Sequence, residues 1–106
     1  MNEQIINEVF NILTQRKKSS EKKSYTSHLI KNPEILAKKI SEESTELIID
    51  FIKNNKEGAI KESVDLIYHV LVIWVSLGIK PEEIWKELSS RKLISGIEEK
   101  KNRGVK

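Results

Sequence analysis

Residues 43–52 read Glu-Ser-Thr-Glu-Leu-Ile-Ile-Asp-Phe-Ile, and residues 62–71 read Glu-Ser-Val-Asp-Leu-Ile-Tyr-His-Val-Leu. Aligned, both follow E-S-x-[E/D]-L-I-x-[D/H]-x-[I/L], with an offset of 19 residues. The apolar positions recur at helical spacing in each copy, not at the alternation of a strand. Asn54-Asn55 and Gly58 fall between the copies and mark a tight turn. The reading is two long helices, from Pro33 to about Lys53 and from Lys56 or Glu57 to Leu77. A connection this short makes them pack antiparallel.

Working outward, Asn32-Pro33 is a start signal, with Asn32 as N-cap and Pro33 at the first helical position. Gly78 suits a left-handed residue closing the second helix. Upstream, Ile5, Ile6, Val9, Phe10 and Leu13 predict a helix over residues 2–18. Ser19–Ser24 is polar and reads as a loop, and Tyr25–Lys31 as a short helix. Downstream, Pro81 with Glu82 and Glu83 opens a helix through about Ser90, its acids complementing the helix dipole. The pattern fades after Leu93, and a tail over about 94–106 is expected to be flexible. With no useful strand pattern, the fold expected is all-α: an antiparallel helical bundle in one domain, residues 1–106.

A chain of 106 residues buries only roughly 65% of its unfolded surface, so its core is expected to be completed by association with a second copy. There is no cysteine, which excludes disulfides and zinc–thiolate sites. The N-terminus carries acids and no basic region, unlike a signal peptide, and Leu66–Leu77 is too short for a bilayer span of about 20 residues. A cytoplasmic location is expected, with no membrane partner. The net charge is +3, unevenly placed. Residues 16–23 hold five basic groups and one acid, whereas residues 42–50 hold Glu42, Glu43, Glu46 and Asp50 and no base. Charge alone fits a solvated surface; the acid-rich stretch also suits an anionic ligand held through a cation.

Helical phase sharpens that second reading. At about 100° per residue, with Glu43 at 0°, Glu46 falls near −60° and Asp50 near −20°, while Leu36, Ile40, Leu47 and Phe51 span about 20° to 80°. With Glu62 at 0°, Asp65 and His69 fall at the same angles, beside a stripe of Leu66, Val70, Ile73 and Leu77. The acids therefore border both apolar stripes. Carboxylates so placed are costly unless neutralised. They either pair with Lys38, Lys39, Lys53 or Lys61, or converge on a cation. The duplicated pattern favours the cation. All-oxygen ligands suit a hard ion, so Glu43, Glu46, Glu62 and Asp65 are expected to hold Mg²⁺, with Mn²⁺ as a substitute. Trp74 and Trp85 are read as core or dimer contacts.

The stretch from Lys38 to Glu46, with Glu-Ser-Val-Asp-Leu-Ile-Tyr-His at 62–69, resembles the phosphoribosyl-ATP pyrophosphatases. These are members of the all-α, MazG-like nucleotide pyrophosphohydrolases, marked by E-x-x-E on one helix and E-x-x-D on the next. Ser24-Tyr25-Thr26 resembles the family's segment upstream of the acidic helix, and Ser95–Lys100 its C-terminal end. Ser41 departs from the pattern, where glycine is more common. The resemblance implies Mg²⁺-dependent hydrolysis of phosphoribosyl-ATP to phosphoribosyl-AMP and pyrophosphate, the second step of histidine biosynthesis, by a homodimer. It makes the four acids catalytic. It also implies substrate contacts from Ser24, Tyr25, Thr26, Lys38 and Lys39, and supporting places beside the acids for Glu42 and His69, although His69 also reads as a core histidine. Arg91, Lys92, Lys100, Lys101 and Arg103 are further candidates for the polyanion.

Three rivals share parts of this reading. A housekeeping nucleoside-triphosphate pyrophosphohydrolase would use the same acids. A nucleic-acid-binding module would use the basic segments, but its acidic rows would repel phosphates, so no nucleic-acid partner is expected. A plain oligomerisation bundle leaves the carboxylates unexplained.

Overall fold

A computed structural model describes residues 2–92, with side chains from residue 4 onward. The expectations for the tail, including Ser95–Lys100, Lys101 and Arg103, lie outside the described residues. The chain runs α1 (Asn2–Arg16), α2 (Tyr25–Lys31), α3 (Pro33–Ile52), α4 (Lys56–Leu77) and α5 (Pro81–Arg91). Among the described residues every regular element is helical, so the all-α class holds. The pairing of α3 with α4 dominates, and α1 and α2 pack across it.

The α3–α4 turn sets the register on which the site depends. Asn54 adopts a left-handed φ of 55°, which asparagine tolerates. The Asn55 side chain caps α4 by accepting from the Gly58 amide at 3.0 Å. At Gly58, a Cβ would come within 2.7 Å of both Asp50 Oδ2 and Asn55 Nδ2. A side chain there would have to push the Asn55 amide and the Asp50 carboxylate aside. At the far end of α4, Gly78 has φ 72°, and its amide bonds back to the last carbonyls of the helix.

The start of α3 differs in one respect from the sequence reading. Asn32 holds the N-cap position, but its side chain makes no capping bond. Its Nδ2 instead donates to the His28 carbonyl and to Glu21 Oε1, each at 2.7 Å. The reason is local: α2 ends one residue before α3 begins, so its last carbonyls need donors.

The core is Leu13 of α1, Leu29 of α2, Leu36 of α3, and Leu71, Val72 and Val75 of α4. The α3 stripe is buried where α1 and α2 cover the hairpin and uncovered at the turn. Leu36 is buried, but Phe51 is 75% and Ile52 71% exposed. Ile48 on α3 and Ile60, Val64 and Ile67 on α4 are also exposed. Phe51 and Leu77, both read as core-facing, thus lie on the surface of the single chain. No single helix among the described residues is long and apolar enough to cross a membrane.

Candidate active site

Glu43 and Asp65 lie equally far along the chain from Asn54, as do Glu46 and Glu62. In an antiparallel hairpin turning at Asn54, equal distances become facing positions. Helical spacing of three then puts both members of each pair on one face. The structure accordingly brings carboxylate oxygens of Glu43, Glu62 and Asp65 within 4.8 Å of one another. Glu46 stands beside them, within hydrogen-bond reach of Glu62.

This cluster is not neutralised by the neighbouring lysines. Lys39 Nζ pairs with Glu42 at 3.7 Å and Lys61 with Glu57 at 3.5 Å. Lys38 is exposed on the surface of α3. Glu62 Oε2 is shut away from solvent and has no hydrogen-bond partner while its neighbours are ionised. A carboxylate offers no donor, so it can bond to another carboxylate only through a shared proton. That proton is why the Glu62 carboxyl is pushed up to about 7: sharing with Glu46 contributes most, followed by burial and the negative charges of Glu46 and Glu43. A hard cation relieves the same problem without a proton. Three converging carboxylates, one with a shielded orphan oxygen, fit a divalent ion bound through oxygen.

Behind the acids stands His69, 5% exposed. Its Nδ1 lies 2.8 Å from the Asp65 carbonyl, which can only accept, so the ring proton sits on Nδ1. The same nitrogen is 3.7 Å from Glu43 Oε1. Nε2 is left to accept from the Tyr25 hydroxyl at 3.3 Å. The Tyr25 phenol is raised by partial burial, opposed by Lys39, and raised further by Tyr68, Glu43 and Glu42. It therefore keeps its proton and donates. Tyr25 and Tyr68 are near-parallel, with ring centroids 6.2 Å apart, and Tyr68 meets the His69 ring edge-on at 4.9 Å.

The other sequence-derived candidates divide. The Ser24 side chain caps α2 by accepting from the Ser27 amide at 3.2 Å. The Thr26 hydroxyl is buried and bonded to Tyr68 Oη at 2.8 Å. Both hydroxyls are tied into the fold, yet Ser24 and Thr26 also line a cleft with Tyr25, whose ring is exposed. Tyr68 is the residue that sequence reasoning passed over. It stands in the family-like stretch 62–69, within one turn of Asp65, but is given no role of its own there. Trp74 and Trp85 meet edge-to-face at 6.2 Å.

The sequence, in turn, is similar to that of known proteins. A family model described as phosphoribosyl-ATP pyrophosphohydrolase matches residues 6–92. A phosphoribosyl-ATP pyrophosphatase of Paramagnetospirillum magneticum is 36% identical over 103 residues, covering 96% of this chain and 94% of that protein. One from Saccharolobus solfataricus is 38% identical over 93 residues, covering 87% of this chain and 99% of its own. A third, from Granulibacter bethesdensis, is 38% identical over 101 residues; there the match takes in 94% of this chain but 63% of the longer relative.

Proposed function

The chain belongs to the phosphoribosyl-ATP pyrophosphohydrolase family, and from that premise we infer that it hydrolyses phosphoribosyl-ATP to phosphoribosyl-AMP and pyrophosphate in histidine biosynthesis. The observation that carries this reading is the convergence of Glu43, Glu62 and Asp65, with no lysine of the described chain reaching them. Bare carboxylates repel a polyphosphate, so such a cluster suits this substrate only with a cation between them.

Glu43, Glu62 and Asp65 would hold Mg²⁺, which when bound offsets phosphate charge and makes water easier to deprotonate. Glu46, outside the tight trio but beside Glu62, would take the proton of the attacking water. In that step the water oxygen joins phosphorus on one side of the cleaved anhydride. The bridging oxygen leaves with the other side, and the proton passes to the carboxylate. His69 stiffens the site by tying the backbone at Asp65 to Tyr25, with its ring edge turned toward Glu43. Lys39, held near Tyr25 by Glu42, supplies a cation at the rim for a phosphate oxygen.

The working form is a homodimer of a cytoplasmic enzyme. The exposed Ile48, Phe51 and Ile52 of α3, with Ile60 and Val64 of α4, form the kind of apolar surface that a second copy covers. The decisive test is pyrophosphate release from phosphoribosyl-ATP with Mg²⁺, beside a panel of ordinary nucleoside triphosphates. Turnover should favour phosphoribosyl-ATP strongly and vanish in excess chelator. Equal rates on ordinary triphosphates would move the reading to a housekeeping pyrophosphohydrolase, and turnover in chelator would end the metal assignment.

A further inference from the structure

Next to the acid cluster lies a cleft of about 600 Å³ that the mechanism above does not use. Its lining includes Arg16, the last residue of α1, and Lys23, from the loop before α2, with Tyr25 and Tyr68 on the side of the acids. Its lining contains no acidic residue. The loop that carries Lys23 is pinned: the fully buried Ser27 donates its hydroxyl to the Ser19 carbonyl at 2.6 Å. The Lys23 amide also bonds to the Ser20 carbonyl at 3.0 Å. Of the five basic groups in residues 16–23, only Arg16 and Lys23 line the cleft. Tyr25 connects the two regions, since its hydroxyl bonds to His69 behind the carboxylates while its ring faces the cleft.

We propose that this cleft, through Arg16 and Lys23, binds the phosphate on the substrate's added ribose, and so distinguishes phosphoribosyl-ATP from ordinary nucleoside triphosphates. This rests on the reading of the acid cluster as the hydrolytic centre. A phosphoribosyl nucleotide carries two separate anionic groups, the polyphosphate chain and the ribosyl phosphate. The acids repel any phosphate not screened by a cation, so the ribosyl phosphate needs its own positive site. Arginine suits that task by its forked donors and lysine as a point charge. An ordinary triphosphate lacks this second group and gains nothing from the cleft.

The test compares Arg16→Gln and Lys23→Gln with the unaltered chain. Both side chains are exposed, so the variants should melt as the parent does. KM for phosphoribosyl-ATP should rise roughly tenfold in each, as expected for loss of one charge-assisted hydrogen bond, with kcat little changed. Residual hydrolysis of ATP should be unaffected, and Lys23→Arg should retain the parent KM. Calorimetric titration in chelator adds a readout independent of turnover: phosphoribosyl-AMP should bind the parent more tightly than AMP does, and the advantage should vanish in Arg16→Gln. An equal loss on ATP and phosphoribosyl-ATP, or no preference for phosphoribosyl-AMP over AMP, would overturn the proposal. A parent that prefers phosphoribosyl-AMP yet hydrolyses no nucleotide would instead defeat the hydrolytic reading and leave the cleft assignment standing.

Discussion

The raised carboxyl of Glu62 makes a measurable demand on the folded state. Its pKa is about 7 in the folded chain against an ordinary 4.5. The folded state therefore holds this proton more tightly than the unfolded state. The group's contribution to stability is complete below pH 4.5 and is lost as pH rises through about 7. At pH 6 the folded chain carries about 0.9 of this proton and the unfolded chain almost none, so metal-free unfolding should release about 0.9 protons from this site. Calorimetric unfolding in two buffers of different ionisation enthalpy measures the release. The quantity to read is the difference between the parent and Glu62→Gln, in which the contributions of all other groups cancel. The glutamine amide can donate to Glu46 without a titrating proton. The metal-free variant should therefore melt at least as high as the parent at pH 8 and lose the downward slope between pH 5.5 and 8. Saturating Mg²⁺ should abolish the difference, since a bound cation displaces the shared proton. A difference near zero without metal, or a parent whose stability does not fall relative to Glu62→Gln over this window, would refute the shared-proton account.

Two further outcomes follow from the geometry. Phe51→Asp puts a charge on the exposed apolar end of α3; the parent should sediment at twice the 12.3 kDa chain mass and the variant as a single chain, and a parent running at 12.3 kDa would remove the dimer. His69→Phe keeps a buried ring but deletes the bonds to the Asp65 carbonyl and to Tyr25. Thermal melting should register about 1–2 kcal/mol of lost stability, and kcat should fall at least tenfold with Mg²⁺ affinity weakened, whereas an unchanged kcat would leave His69 as packing alone.

The sequence makes the helical hairpin legible because its signals are local. Asn54-Asn55, Gly58 and Gly78 act within a few residues of themselves, and the acid rows follow from helical phase once the helices are granted. The meeting of the rows follows from where the turn falls between them. Long-range partners are a different matter. That Thr26 bonds to Tyr68 depends on how α2 seats against α4, and no spacing in the chain encodes it. The cleft was hidden in the same way. Arg16 and Lys23 read as part of a basic run, and it is the folding of a loop whose path is not periodic, pinned by the Ser27–Ser19 bond among others, that brings them beside Tyr25. Phe51 was placed by phase toward a core that a single chain does not extend that far.

What separates this site from an ordinary charged helix face is the partners its lysines take. Lys39 is on the same helix as Glu43 and one turn away, yet it pairs with Glu42, which phase puts well to one side of the cluster. Lys61 is next to Glu62 in sequence and pairs with Glu57. A chain selected for stability alone would turn one of these ammonium groups inward, because an uncompensated carboxylate at the edge of a core is expensive. Instead Glu62 Oε2 is left shielded and without a donor, and the helix register holds Glu43 and Asp65 against it. The cost falls on the metal-free state, where sharing a proton only partly relieves it. On the proposed reading it would be returned when a divalent cation binds, with part of the folding free energy stored as affinity for the ion. An inward lysine would occupy that position permanently, giving a more stable helical pair with no means of approaching a polyphosphate.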